Sequence, residues 1–275
     1  MELTLKAAAK INLYLDILGR RSDGYHEIES IIQSVRLYDK IILRPKGRGI
    51  KITCTHPEVP LDEENICYRA AKILLTVLGG EEGVEIEIQK NIPIGSGLGG
   101  ASADAAATLI GMRKLFQIDI PFSDLSKLAL ELGSDVPFCL LGGTALVRGR
   151  GEKIIPLPLL KNGWFILVDP GIFISTRWVY SRLEGKLTKK RLNIKLIKES
   201  LKEEGMRGVS KFPLYNKLEE VVIERFPTLR DIKAKLIEVG ATGALMTGSG
   251  STIFAVAEGE KRAKSILGRL GRKVR

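Results

Sequence analysis

Four clusters of residues have types and spacings that can do chemistry. The first is Pro93-Ile94-Gly95-Ser96-Gly97-Leu98-Gly99-Gly100-Ala101-Ser102, followed by Ala103. The preceding Val84–Gln89 alternates apolar and polar residues as a strand does. In the following Ala101–Phe116, apolar Ala103, Ala106, Ala107 and Ile110 recur at helical spacing. The glycines therefore sit on a strand-to-helix turn. Backbone N–H groups without side chains in the way, beside the positive end of a helix, suit a phosphate. Gly95, Gly97 and Gly100 also fit G-x-G-x-x-G, with Asp119 about twenty residues on. A dinucleotide-binding strand, however, is buried on both faces and reads as a continuous apolar run, whereas this one alternates Val/Ile with Glu. A Walker loop ends Gly-Lys-Ser/Thr, and here Gly100 is followed by Ala101 and Ser102. A purely structural turn is the plain alternative, weakened by a second glycine run at Thr247-Gly248-Ser249-Gly250-Ser251.

The second cluster is Lys10 and Asn12, side by side beyond Ala7-Ala8-Ala9. Alternation over residues 2–18 puts them with Tyr14 and Asp16 on the face opposite Ile11, Leu13, Leu15 and Ile17. They are either solvated or line a cleft that the small residues leave open. The third is Asp135, an acid between a helix end and an apolar stretch. It is a base if it faces the phosphate loop and a hydrogen-bonded turn residue otherwise. The fourth is Tyr25-His26, at the edge of the turn marked by Asp23-Gly24. The tyrosine could stack on a base that the histidine hydrogen-bonds; a capped loop histidine is the alternative.

The elements that position these groups follow from the pattern. Strands are expected at 2–18, Ile28–Val35, Ile41–Leu43, Ile50–Cys54, Val84–Gln89, Gly142–Val147, Trp164–Val168 (short and buried) and Ile253–Val256. Helices are expected over Asn65–Leu78, after the glycine loop, from a Ser123 cap through Leu132 to Gly133, and at about 215–225 and 228–239, divided by Pro227. Residues 181–211 read as a helix plus a mobile loop. Periodicity fades over 149–158, which suggests domains at 1–155 and 156–275.

At 275 residues the length suits one large or two modest domains, and no apolar run approaches a membrane span. The amino terminus lacks a signal-peptide layout. The three cysteines lack metal spacing and read as reduced thiols of a cytoplasmic protein. The formal charge is +11. Residues 261–275 hold seven Lys/Arg and no acid, residues 180–211 hold ten Lys/Arg and four Glu, and the remainder is slightly acidic. The basic excess thus does not surround the glycine loop. With little aromatic interleaving it reads as a solvated face before an anionic partner.

Taken together, these motifs resemble the GHMP kinases, a family that includes galactokinase and homoserine, mevalonate and phosphomevalonate kinases. The resemblance rests on the 93–102 loop, Ala-Lys10-Ile-Asn12-Leu, Arg21-Ser-Asp-Gly-Tyr-His26, Gly133-Ser-Asp135-Val-Pro-Phe138 and Thr247-Gly-Ser-Gly. It spans the chain with the motifs in the family's order and is loosest at 181–211. It implies an α+β, two-domain GHMP kinase fold, ribosomal S5-like at the amino-terminal end and ferredoxin-like at the carboxy-terminal end. The implied activity is ATP-dependent phosphorylation of a hydroxyl on a small molecule carrying a CDP group. Lys10 and Asp135 would be catalytic, and 93–103 would bind ATP. Asn12, Tyr25, His26, Thr176, Tyr180, Gly248 and Gly250 would bind substrate. Mg2+ would arrive with the nucleotide, with no protein ligand assigned. No nucleic-acid or membrane partner is implied, and the chain would be a monomer or weak homodimer. Two alternatives remain, a kinase of this family acting on homoserine or phosphomevalonate and a basic RNA-binding protein.

Overall fold

The computed structural model describes residues 2–160, 163–183, 192–205, 209 and 214–271. Two compact units interleave along the chain. The first comprises residues 1–10, 34–94 and 99–142; the second comprises 11–33, 95–98 and 143–275. Strands β1 (Leu3–Arg20) and β2 (His26–Lys46) each contribute one half to either unit.

The first unit also holds β3 (Gly49–Cys54), α1 (Ile66–Val77), β4 (Gly83–Gln89), α2 (Gly100–Leu115), α3 (Phe122–Leu132) and α4 (Val136–Leu141). Its strands run in the order β3-β4-β2-β1. β4 lies antiparallel to β2, with Lys40 opposite Gln89, and parallel to β3, with Gly49 opposite Gly83. A parallel pair needs a crossover, and α1 supplies it. Asn65 caps α1 by accepting from Cys67 N at 2.8 Å. Val84, Ile86 and Ile88 are buried, whereas Glu85 and Glu87 reach Lys51 at 2.6 Å and Arg44 at 3.0 Å across neighbouring strands. The alternation therefore does mark one wet face. α2 lies close on the sheet because it is rich in small residues. A Cβ at Gly111 would meet Leu43 Cδ1 at 2.3 Å and Leu5 Cδ1 at 2.8 Å. Ser123 does not cap α3. Pro121 stands at that position, and its carbonyl accepts from Asp124 N and Leu125 N.

In the second unit are β5 (Thr144–Gly149), β6 (Lys153–Pro156), β7 (Trp164–Val168), α5 (Thr176–Ser181), α6 (Ile194–Glu204), β8 (Tyr215–Asn216), α7 (Lys217–Arg225), α8 (Thr228–Glu238), β9 (Gly243–Met246), β10 (Ile253–Ala257) and α9 (Glu260–Leu270). β8 runs parallel to β1 at Tyr14 and Leu15. β5 runs antiparallel to β2, with Ile28 opposite Gly149 and Gln33 opposite Thr144. A separate antiparallel sheet has the order β7-β10-β9. Its core gathers Leu15, Ile17, Val222, Leu229, Leu236, Met246, Ile253 and Ala255.

Other features differ from, or add to, the sequence expectations. Ile28–Val35 and Ile41–Leu43 are one strand, β2, because each half has its own partner, β5 and β4. Trp164–Val168 is a strand, but Trp164 at its start is 42% exposed. β9 is an additional strand. The basic tail contains α9, which buries Ala263 and Ile266; its Arg262 donates to Gly240 O at 3.0 Å and its Arg269 to Val239 O at 3.5 Å, so both arginines satisfy the carbonyl end of α8. α6 lies within 181–211; the loop expected there falls largely on residues outside those described.

Candidate active site

In the first unit, Lys10 on β1 meets Asp135, which stands at the N-cap position of α4. Lys10 Nζ lies 3.2 Å from Asp135 Oδ2, with the lysine side chain 5% exposed and the aspartate 34%. The lysine is thus not a solvated strand residue. A buried ammonium is paired with a carboxylate that a ligand can still reach. Burial pushes the nearby Cys139 thiol up, so it stays protonated.

The end of the glycine loop touches this pair. Gly99 has φ +71°, and a Cβ there would meet Lys10 Cε and Cγ at 2.9 Å. Only glycine admits the lysine stem and also adopts that backbone. α2 starts at the next residue with no side-chain cap and no acid in its first turn. Its first amides and its dipole are therefore presented to an anion.

Sequence reasoning missed the group behind this turn. Lys90 Nζ donates to Asp39 Oδ2 and, at 2.7 Å, to Asp104 Oδ2. Asp39 Oδ1 also accepts from Ile92 N at 2.8 Å. A Cβ on Gly100 would meet Lys90 Nζ at 3.2 Å. Burial pushes the Asp104 carboxyl up to about 7, against the pull of Lys90. A charged residue within the alanine run of α2 was the available signal.

In the second unit, the two glycine runs pack on each other. A Cβ on Gly97, at φ +81°, would lie 2.4 Å from Thr247 O and 2.9 Å from Gly250 O. Thr252 N donates to Ser96 O at 3.1 Å. Asn216 Nδ2 holds the carbonyls of Met246 and Gly248, both at 2.8 Å, and Thr176 Oγ1 lies 2.7 Å from Ser249 Oγ. Asn12 belongs to this support. Its N–H donates to Thr247 Oγ1 at 3.0 Å and its Nδ2 to Ser30 Oγ at 2.9 Å. It is buried, not outward, as are Tyr14 and Asp16.

Two contacts of that unit involve the aromatic residues singled out by the sequence. His26 and Tyr180 have ring centroids 4.9 Å apart at 39°. Tyr25 is 48% exposed, and the Arg150 guanidinium lies 4.5 Å over its ring. Burial, helped by the Arg20 charge, pushes the His26 pKa down and keeps the ring neutral at pH 7. It then offers one donor and one acceptor.

Residues 65–143 match the GHMP kinases N terminal domain and residues 190–275 the GHMP kinases C terminal domain. A 4-diphosphocytidyl-2-C-methyl-D-erythritol kinase from Acetivibrio thermocellus is 41% identical over 261 residues, covering 95% of this chain and 92% of that protein. The chain belongs to the GHMP kinase family. A protein of the same name from Alkaliphilus metalliredigens is 42% identical over 96% of this GHMP kinase and 91% of its own length. The crystal structure of a 4-(cytidine 5'-diphospho)-2C-methyl-D-erythritol kinase superposes with a TM-score of 0.82 at 35% identity, covering 98% and 95% of the two chains. A homoserine kinase structure from Cytophaga hutchinsonii, at 23% identity and a TM-score of 0.77, shares the fold. As a GHMP kinase the chain is an ATP-dependent kinase of a small molecule. The uncapped start of α2, with Gly99 before it, has the chemistry that an anionic group such as a phosphate requires. Among the described residues no group of three or more His, Cys, Asp or Glu could hold a metal ion, and no helix is long and apolar enough to cross a membrane.

Proposed function

We propose that this GHMP kinase transfers the γ-phosphoryl group of ATP to the 2-hydroxyl of 4-diphosphocytidyl-2-C-methyl-D-erythritol, a step of non-mevalonate isoprenoid biosynthesis. The observation that carries the kinase chemistry is the Lys10–Asp135 pair at 3.2 Å, with Gly99 of the glycine loop against the lysine stem. The substrate is supported by the names of relatives more than 40% identical over nearly the whole chain, and by exposed Tyr25 beside the His26–Tyr180 pair.

Asp135 takes the proton of the acceptor hydroxyl, readying its oxygen to attack phosphorus. Lys10 pairs with that carboxylate and offsets charge gathering on the acceptor oxygen. Bound ATP would supply the phosphoryl group, with Mg2+ carried on its phosphates. Residues 93–103 would hold the phosphates through backbone N–H groups, leaving the chemistry mainly to placement and charge stabilisation. Tyr25 and Tyr180 would flank the cytosine while neutral His26 hydrogen-bonds its polar edge. Thr176 would position the substrate, and Gly248 and Gly250 would line the path of the transferred group. Asn12 would act by fixing Thr247. The matches at 65–143 and 190–275 support family domains at 1–155 (ribosomal S5-like) and 156–275 (ferredoxin-like). A small, charged metabolite as substrate suits a cytoplasmic enzyme, monomeric or weakly dimeric, with no nucleic-acid or membrane partner. A coupled assay for ADP release tests the assignment. Turnover is expected with the CDP-linked substrate and not with homoserine or phosphomevalonate; the reverse preference refutes it.

A further inference from the structure

One arginine locks two turns of the second unit together. Arg21 Nε donates to both carboxylate oxygens of Asp23 at 3.2 and 3.0 Å, and its Nη1 reaches Glu27 at 3.1 Å and Glu152 at 3.3 Å. Asp23 Oδ1 in turn accepts from Tyr25 N at 3.1 Å. The register of β5 on β2 brings Gly149 opposite Ile28. Gly149, at φ +77°, then turns the chain so tightly that a Cβ would lie 2.2 Å from Glu152 Oε1, and Arg150 N donates to Glu152 Oε2 at 2.7 Å. The backbone of Arg150 thus serves the turn, and its guanidinium is carried over the Tyr25 ring at 4.5 Å.

An aromatic ring has two faces. With a guanidinium on one, a flat ligand stacks only on the other, against a ring that is already immobilised. The cation would also attract a ligand that carries a diphosphate. We infer that Arg150 is a specificity-determining positioning residue for the pyrimidine nucleotide end of the substrate, acting by backing Tyr25 and by its charge. This deepens, and rests on, the function proposed above.

The test is calorimetric titration of cytidine diphosphate into wild type, Arg150→Met and Arg150→Lys at two salt concentrations, with ADP as the control ligand. Loss of a cation–π backing at a half-exposed ring should weaken CDP binding about threefold to thirtyfold in Arg150→Met. Arg150→Lys should recover part of the loss, and the salt dependence of CDP binding should be shallower in Arg150→Met than in wild type. ADP affinity should be the same in all three proteins. Unchanged CDP affinity and salt dependence in Arg150→Met overturn the inference. Equal weakening of CDP and ADP overturns it too, since that marks general damage. If wild type itself does not bind CDP, the proposed substrate fails and the role of Arg150 with it.

Discussion

Replacing Asp104 with asparagine should change how stability depends on pH. Asp104 is an almost fully buried acid on α2, bonded through Oδ2 to Lys90, while its Oδ1 has no partner among the described residues. Two carboxylates, Asp39 and Asp104, thus share one ammonium. The groups facing them from α1 and α4, Cys67 and Cys139, are both pushed up by burial and stay neutral. The Lys90 pKa is raised by its acidic partners, so it stays charged. Asp104 is then the group that titrates near neutrality, at about 7 in the folded protein against 3.8 for an ordinary aspartate. Between those values the folded state holds a proton that the unfolded chain has released. The stabilisation is therefore complete below about pH 4 and is lost as pH rises through about 7. At about 1.4 kcal/mol per unit over some three units, the full change is about 4 kcal/mol. Urea denaturation at pH 5, 6, 7 and 8 reads it. Wild type should lose stability steadily relative to Asp104→Asn, most of the change falling between pH 5 and 7. Parallel pH profiles for the two proteins would refute the reasoning.

Further outcomes concern the second unit. Gly97→Ala would force a Cβ to 2.4 Å from the Thr247 carbonyl at φ +81°, so a lowered melting temperature, a loss of about 1–3 kcal/mol and a raised KM for ATP are expected; wild-type ATP affinity would show that the glycine runs need not pack so closely. Tyr25→Ala should raise KM for the CDP-linked substrate tenfold or more while leaving KM for ATP nearly unchanged, and steady-state kinetics varying each substrate in turn separates the two effects.

The glycine loop was legible because its glycines are spaced as only a close backbone approach requires, and β4 because its alternation marks one wet face. Lys10 was legible as a candidate but not as a buried one, since alternation alone does not say what covers the second face of a strand. The continuity of β2 escaped because its halves pair with strands far apart in sequence. The Lys90 triad and the Arg150–Tyr25 contact escaped for the same reason. Asp39 precedes Lys90 by 51 positions, and Tyr25 precedes Arg150 by 125, so only sheet register brings them together. Ser123 illustrates a local error, a good capping residue displaced because Pro121 already starts the helix. The basic tail was legible as a solvated face, since Lys261, Arg262, Lys264 and Arg269 of α9 are exposed, but composition does not say that two of its arginines bond carbonyl groups of the same fold.

The most direct measurement is single-turnover phosphoryl transfer to the CDP-linked substrate by wild type and Asp135→Asn, with ATP binding followed in parallel. With its base and that base's charge removed, Asp135→Asn should bind ATP like wild type and transfer phosphate about a thousandfold more slowly. Transfer at near the wild-type rate would contradict the assignment of Lys10 and Asp135 as the reacting pair.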